Sequence, residues 1–407
     1  MEDLGDRLKA TTLLRSPIRQ EEASMGVNAA EPGTETDDRT TDPLELFFDL
    51  VFVFAMAQVT QLMLAEGSWL GLGRGALALT AVWWAWVCYA WLTNTTADAG
   101  VAARILTIAA MAAMLVAGIA LPDAFGDRAL VFAVAFLCVR LVHLVLLVLE
   151  TGQSREQRSA AIRLVPTMLA GPCLILIAAF LGAPYRELVW ILAALIDLGG
   201  PLVIGVGGLR VLPRYFVDRH GLIIIIALGE SIVQVGTGAN QDLSQPGVLA
   251  AVVLALLIAG QLWWSYFSLT DAAQARLVST DGSERNRLAR DAYSYLHLLI
   301  VAGIVFFALG AHQAIDTVFD PLHLLPAVAL TGGVALAYAG DVAYRWRDHH
   351  RIATDRLIAA AASAALIAPA LFAPALLTLT ALVSIGAVRI VWETRHPPTA
   401  AVEPQAT

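Results

Sequence analysis

From Pro43 to about residue 393 the chain is a near-continuous succession of apolar segments. Each is close to the ~20 residues that cross a hydrocarbon layer as a helix. The segments fall at 44–66, 73–93, 102–121, 127–150, 160–182, 186–208, 219–239, 247–270, 288–310, 321–343, 355–371 and 373–393. No soluble architecture can bury so many in one domain. Composition agrees: 58% of residues are hydrophobic, 15% are charged, and the mean hydropathy is +0.69. Soluble proteins average about 45–50% apolar and about 25% charged. The sequence therefore reads as an all-α, polytopic integral membrane protein with about 12 transmembrane helices. The last two segments are divided only by Pro369 and Pro374, so they are either two spans or one kinked or re-entrant element.

Residues 1–43 are polar and lack apolar periodicity, as expected of a disordered cytosolic tail, and 394–407 read as a second, short tail. The N-terminal stretch has no apolar core of the kind a secretory signal carries. The only lysine is Lys9, so no intramembrane amine exists for a retinal Schiff base. There is no GxxxxGK[ST] phosphate loop to drive a pump. A net charge of −8 argues against nucleic acid as a partner. Cys88, Cys138 and Cys173 have no CxxC spacing and read as small packing residues.

Arginine placement orients the spans. Counting helix edges, the loops after helices 2, 4, 6, 8 and 10 carry 15 arginines, and those after the odd-numbered helices carry 3. Both termini are then expected in the cytoplasm. An internal likeness supports the even count. LVFVFAMAQVTQ in the first span aligns with LIIIIALGESIVQVG in the seventh, placing Ala55 with Ala227 and Gln58 with Glu230. WWAWVCYAWLTN aligns with QLWWSYFSLTD, placing Trp83–Trp84 with Trp263–Trp264. The expected organisation is two parallel six-helix repeats, 44–208 and 219–393.

Ionisable residues inside spans cost at least ~2.5–3.5 kcal/mol each at a helix centre, so they should face the bundle interior and mark function or packing. By count of residues, Asp197 and Glu230 lie near the midplane and Arg140 slightly to the cytosolic side, with His143 within one turn. Glu45 and Asp49 share a helical face in the cytosolic third of the first span. Arg140 is the natural partner for one or two of these carboxylates. Glu230 stands in GLIIIIALGESIVQVGTG, with Gln234 one turn on. The small residues Gly229, Ser231, Gly236 and Gly238 would let a neighbouring helix approach or the backbone open. A carboxylate so placed can load and release a proton. The candidate substrate or proton pathway is Glu45, Asp49, Arg140, Asp197, Glu230 and Gln234. Trp83 and Trp84 fit packing or a pocket wall. His143, His297 and His312 lack metal-site spacing, no cofactor is implied, and Asp341 reads as an interfacial charge.

PLELFFDLVFVFAMAQVT, Pro43 to Thr60, resembles the opening signature of the bacterial low temperature requirement protein A family. HGLIIIIALGESIVQVG, His220 to Gly236, is similar to its second signature, and the tryptophan stretch fits as well. The resemblance covers about 44–393 and implies a helical protein of the bacterial inner membrane. It singles out Glu45, Phe47, Phe48, Asp49, Gly229, Glu230 and Ser231, and it implies a link to growth in the cold without naming a substrate. The residues themselves favour a secondary transporter of an unknown small solute, with the bilayer and a proton or solute as partners. A structural or regulatory membrane protein comes second. An intramembrane lipid-modifying enzyme comes third, because no DDxxD-like cluster accompanies Glu45 and Asp49.

Overall fold

The computed structural model describes residues 41–94, 100–150, 155–209, 211–239, 244–268, 270–350 and 352–396. The expected tails, 1–43 and 394–407, lie outside these apart from residues 41–43 and 394–396, of which 43 and 394–395 are helical. Among the described residues there is no strand, and eleven helices are long and apolar enough to cross a membrane. In chain order the first eight helices are α1 Pro43–Glu66, α2 Trp69–Thr93, α3 Val101–Ala120, α4 Ala129–Glu150, α5 Arg155–Ala178, α6 Tyr185–Ile204, α7 Pro213–Gly238 and α8 Pro246–Phe267. There follow a short α9 Thr270–Ser279, then α10 Gly282–Asp316, α11 Leu324–Asp348, α12 Thr354–Ala365 continued by Ile367–Ala370, and α13 Ala375–Arg395.

Local chemistry fixes the ends. Asp42 caps α1, accepting a hydrogen bond from the Leu44 amide at 2.8 Å, while Glu45 reaches back to the Asp42 amide at 3.4 Å. Pro43 sits in the first turn, where its missing N–H costs nothing. Pro213 starts α7 in the same way, six residues before the apolar stretch begins. The helix therefore includes Arg219, which the hydropathy reading placed at its edge.

The α10 helix likewise starts before residue 288 and contains a π-helical stretch, Ala289–Leu296. Such widened turns often mark functional positions. Against α10, α11 packs at unusually close range. A Cβ at Gly310 would lie 2.2 Å from the Leu330 amide nitrogen, and one at Gly333 would lie 2.4 Å from that of Phe307.

The last two segments are separate helices joined by a tied turn. The Leu322 amide bonds the Ala370 carbonyl at 3.0 Å, and the Ala375 amide bonds the Asp320 carbonyl at 3.0 Å. The turn between α12 and α13 is thus zipped to the loop between α10 and α11. Starting beside the other end of α11, α12 packs back along it, broken at Leu366, and is shorter than the eleven helices long and apolar enough to cross a membrane.

At the centre, α1, α7 and α10 pack on one another. Leu46, Phe47, Val131, Leu195, Phe180 and Val203 point outward, as lipid-facing residues do. Cys138 and Cys173 are also outward, which corrects their reading as packing residues; Cys88 is buried. The aligned tryptophans differ in setting: Trp83 and Trp84 are buried, whereas Trp263 and Trp264 are exposed.

The three arginines at the end opposite the arginine-rich one are tied down. Arg74 bridges Glu66 and Glu187, Arg128 donates to the Ile119 carbonyl, and Arg186 donates to the carbonyls of Leu181 and Phe125.

Candidate functional site

The two segments that stood out in the sequence lie side by side. Tyr215 donates to Glu45 Oε2 at 2.6 Å, Arg219 donates to Asp49 Oδ1 at 3.1 Å, and Thr60 donates to Glu230 Oε1 at 3.2 Å. All three pairs are 170 residues apart. A constant offset over four turns requires α1 and α7 to run parallel in fixed register.

Asp49 is fully buried and held from two directions, since Trp86 Nε1 also donates to Oδ1 at 3.0 Å. Arg219 Nη1 lies 3.1 Å from Asp49 Oδ2 and 3.8 Å from Glu45 Oε2. Glu45 and Asp49 thus belong to Arg219, and Arg140 has a different partner.

Glu230 is fully buried and forms no ion pair among the described residues. Its Oε2 has no hydrogen bond of ordinary geometry among the described residues. Gln234, also buried, accepts from Gln61 Nε2 at 3.3 Å. The expected opening of this helix does not occur: α7 is continuous, and Gly229 and Gly236 face open space. Only Gly238 meets a neighbouring helix closely, at the His312 backbone.

Arg140 pairs with Asp197. Its Nη2 donates to Asp197 Oδ1 at 2.9 Å and to the Met168 carbonyl at 3.3 Å, and its Nη1 lies 2.7 Å from Cys88 Sγ. The sequence explains why these groups are available. Pro172 in α5 has no N–H for the carbonyl four residues earlier, which is that of Met168. Gly171 makes room for the carboxylate: a Cβ there would lie 2.5 Å from Asp197 Oδ2. Pro201 in α6 likewise deprives the Asp197 carbonyl of its helical donor.

Asp197 of this pair lines a cavity walled by α2, α4, α5, α6 and α10. Trp84, Trp91, His143 and Asp197 line it, and Gln157, Val206 and Leu209 stand toward the arginine-rich end. Asn286 Nδ2 holds the Val206 and Leu209 carbonyls at 3.2 and 2.6 Å, while Asn94 Oδ1 holds the Leu212 amide at 2.9 Å. Positive φ at Gly205 and Gly208 lets that rim turn.

Toward the other end the way is filled by aromatic rings. Trp190 packs on Phe125 and Phe132 at 4.6 and 5.4 Å, and Phe132 stacks on Phe136 at 5.7 Å. Glu45, Asp49, Glu230 and Gln234 are not among the residues lining this cavity. Of the expected pathway, the structure joins Arg140 to Asp197 and sets the other four along the α1–α7 seam.

A second ion network lies among α8, α11, α12 and α13. Asp341 is buried and takes Arg345 at 2.7 Å, Arg356 at 2.8 Å and the Ser265 hydroxyl at 2.7 Å. Arg356 also meets Glu393 at 2.6 Å, and Arg389 meets Glu393 at 3.1 Å. Asp341 is therefore the centre of a buried cluster, not an interfacial charge.

The family model described as "Bacterial low temperature requirement A protein (LtrA)" matches residues 40–391. The chain belongs to the LtrA family. It is also similar to an uncharacterized protein of Rhizobium meliloti (strain 1021), at 29% identity over 319 residues, 75% of this chain and 77% of that one. In this LtrA chain, both signature segments meet at the α1–α7 seam. Of the residues the resemblance singled out, Phe48 packs on Phe52 and Tyr89 inside, while Phe47 faces outward. Sequence reasoning missed Tyr215, Arg219, Trp86 and Thr60 as partners. One signal was present: eleven residues separate Asp49 from Thr60, and eleven separate Arg219 from Glu230.

Proposed function

We propose that this LtrA-family chain is a secondary transporter of a small solute, coupled to protons, and not an enzyme. It would lie in the bacterial inner membrane with both termini cytoplasmic, as two six-helix repeats of like orientation. The feature that carries this reading is the cavity, which we take to open at the arginine-rich end, where Gln157, Val206 and Leu209 line it, and to stop at Asp197. Beyond the pair the aromatic stack of Trp190, Phe125 and Phe132 closes the other side. A site reached from one side while plugged on the other is what alternating access needs.

Glu230, with Gln234 beside it, is the proposed coupling carboxyl. No guanidinium faces it among the described residues, so it can exchange a proton without breaking an ion pair. The parallel α1–α7 packing supports the repeat, since a two-fold axis along the membrane normal would bring equivalent helices together.

A second reading, a structural or regulatory membrane protein, is favoured by the buried, paired charges of Asp49–Arg219 and Asp341–Arg345–Arg356. Proteoliposomes enclosing a pH-sensitive dye separate the two. Small-solute fractions from a bacterial culture, applied outside, should shift the internal pH with the parent protein and not with Asp197→Asn. No shift with any fraction would favour the second reading.

A further inference from the structure

We propose that the cavity takes a primary ammonium ion carried on an apolar body, the ammonium at Asp197 and the body against Trp84 and Trp91. This rests on reading the cavity as the solute site and adds the class of solute.

Among the described residues, the guanidinium groups nearest Asp197 are already engaged, and Arg163 at the rim donates to the Gly207 carbonyl at 3.3 Å. Arg140 serves Asp197 Oδ1, the Met168 carbonyl and Cys88. Arg290 serves Asp291 and the Pro201 carbonyl. A carboxylate or phosphate reaching Asp197 would meet its charge, and the described arginines beside it, Arg140 and Arg290, already have partners.

What remains unused is acceptor capacity. Asp197 is 6% exposed, lines the cavity, and has no hydrogen bond to Oδ2 from the described residues. Its backbone carbonyl loses its helical donor to Pro201. His143 on α4, 1% exposed and also lining the cavity, has its Nε2 at 3.1 Å from the Cys88 carbonyl, which makes that nitrogen the donor. Its Nδ1 is then an acceptor, with no partner among the described residues.

The aromatic walls point the same way. Trp91 spends its N–H on Ser294 Oγ at 2.9 Å, so its contribution to the cavity is its ring. Indole faces attract ammonium groups and pack apolar chains equally well. The head group would share Asp197 with Arg140, and the rest of the molecule would occupy the apolar remainder of the cavity.

The test uses the full chain in phosphatidylcholine nanodiscs, with n-hexylammonium, 1-hexanol and hexanoate as probes of equal length, read by tryptophan fluorescence and thermal shift. Hexylammonium should bind about tenfold more tightly than hexanol, the scale of one charge-assisted contact plus a cation–π contact, and hexanoate more weakly still. Asp197→Asn should abolish the preference for ammonium over alcohol. Because that variant orphans Arg140 and can fail to fold, Trp91→Leu provides a second arm and should weaken hexylammonium binding about fivefold.

Replacing part of the phosphatidylcholine by phosphatidylethanolamine identifies the source. Competition with hexylammonium assigns the site to an amino-lipid head group, and no competition assigns it to a free amine; both outcomes support the ammonium site. Equal binding of hexanol or hexanoate, no binding of hexylammonium, or binding indifferent to both substitutions overturns it. Preference for hexanoate alongside two-sided access to the cavity would sink the ammonium assignment and spare transport. Ammonium binding without two-sided access would do the opposite.

Discussion

Asp49 on α1 and Arg219 on α7 face each other through two contacts of 3.1 Å, with the carboxylate fully buried and the guanidinium 1% exposed. They form the buried ion pair of the α1–α7 seam. Removing either partner leaves a buried charge alone, so Arg219→Ala should destabilise the protein by about 3–5 kcal/mol. Adding Asp49→Asn to that variant should recover part of the loss. Unfolding midpoints of the single and double variants in detergent measure this, and strictly additive losses would mean the pair is not coupled.

The same argument assigns Arg140 to Asp197. A double-mutant cycle between them should show coupling of about 1–3 kcal/mol, the range for residues in one ion-pair network. Cycles of Arg140 with Asp49 or with Glu230 should show none. Coupling to Glu230 comparable with that to Asp197 would contradict the geometry.

How much of this was legible in the sequence depended on where helices end. Hydropathy located every span, and the cost of a buried charge picked out Arg140 and Asp197. But hydropathy registers the apolar part of a helix, and α7 begins six residues earlier, at Pro213. Arg219 was therefore counted with the loop arginines, as were Arg345 and Arg356, and the partners of Asp49 and Asp341 went unseen. The cavity was invisible for another reason. Its lining comes from α2, α4, α5, α6 and α10, and a single chain read in order does not show which helices lie together.

Orientation can be checked at two exposed positions. In a background without the three native cysteines, Ser244→Cys should react with an impermeant thiol reagent added outside intact cells, and Ser283→Cys should not. Ser244 follows α7 and Ser283 opens α10, so they lie at opposite ends of the bundle. The reverse pattern would invert the arginine-based orientation.

Glu230→Gln separates coupling from packing. The amide can still accept the Thr60 hydroxyl at the 3.2 Å position, so folding should be little changed. What it loses is the exchangeable proton. The variant should reach parental levels in the membrane and yet show no solute-dependent pH change in proteoliposomes. Full retention of that change would remove Glu230 from the coupling role and leave it a packing residue.

The central claim, a mid-membrane site reached in turn from each side, is tested most directly at Ala193. It lies one turn beyond Asp197, away from the cavity mouth, and is 1% exposed beside Trp190. In the cysteine-free background, Ala161→Cys at the cavity wall and Ala193→Cys below the pair should be labelled with small impermeant thiol reagents in right-side-out and inverted vesicles. Ala161→Cys should react from the arginine-rich side. Ala193→Cys should react slowly from the opposite side as the aromatic stack opens, and the Trp190→Ala variant should raise that rate. Ala193→Cys that stays unreactive from the opposite side, with Trp190 present or removed, would contradict alternating access and make the cavity a one-sided pocket.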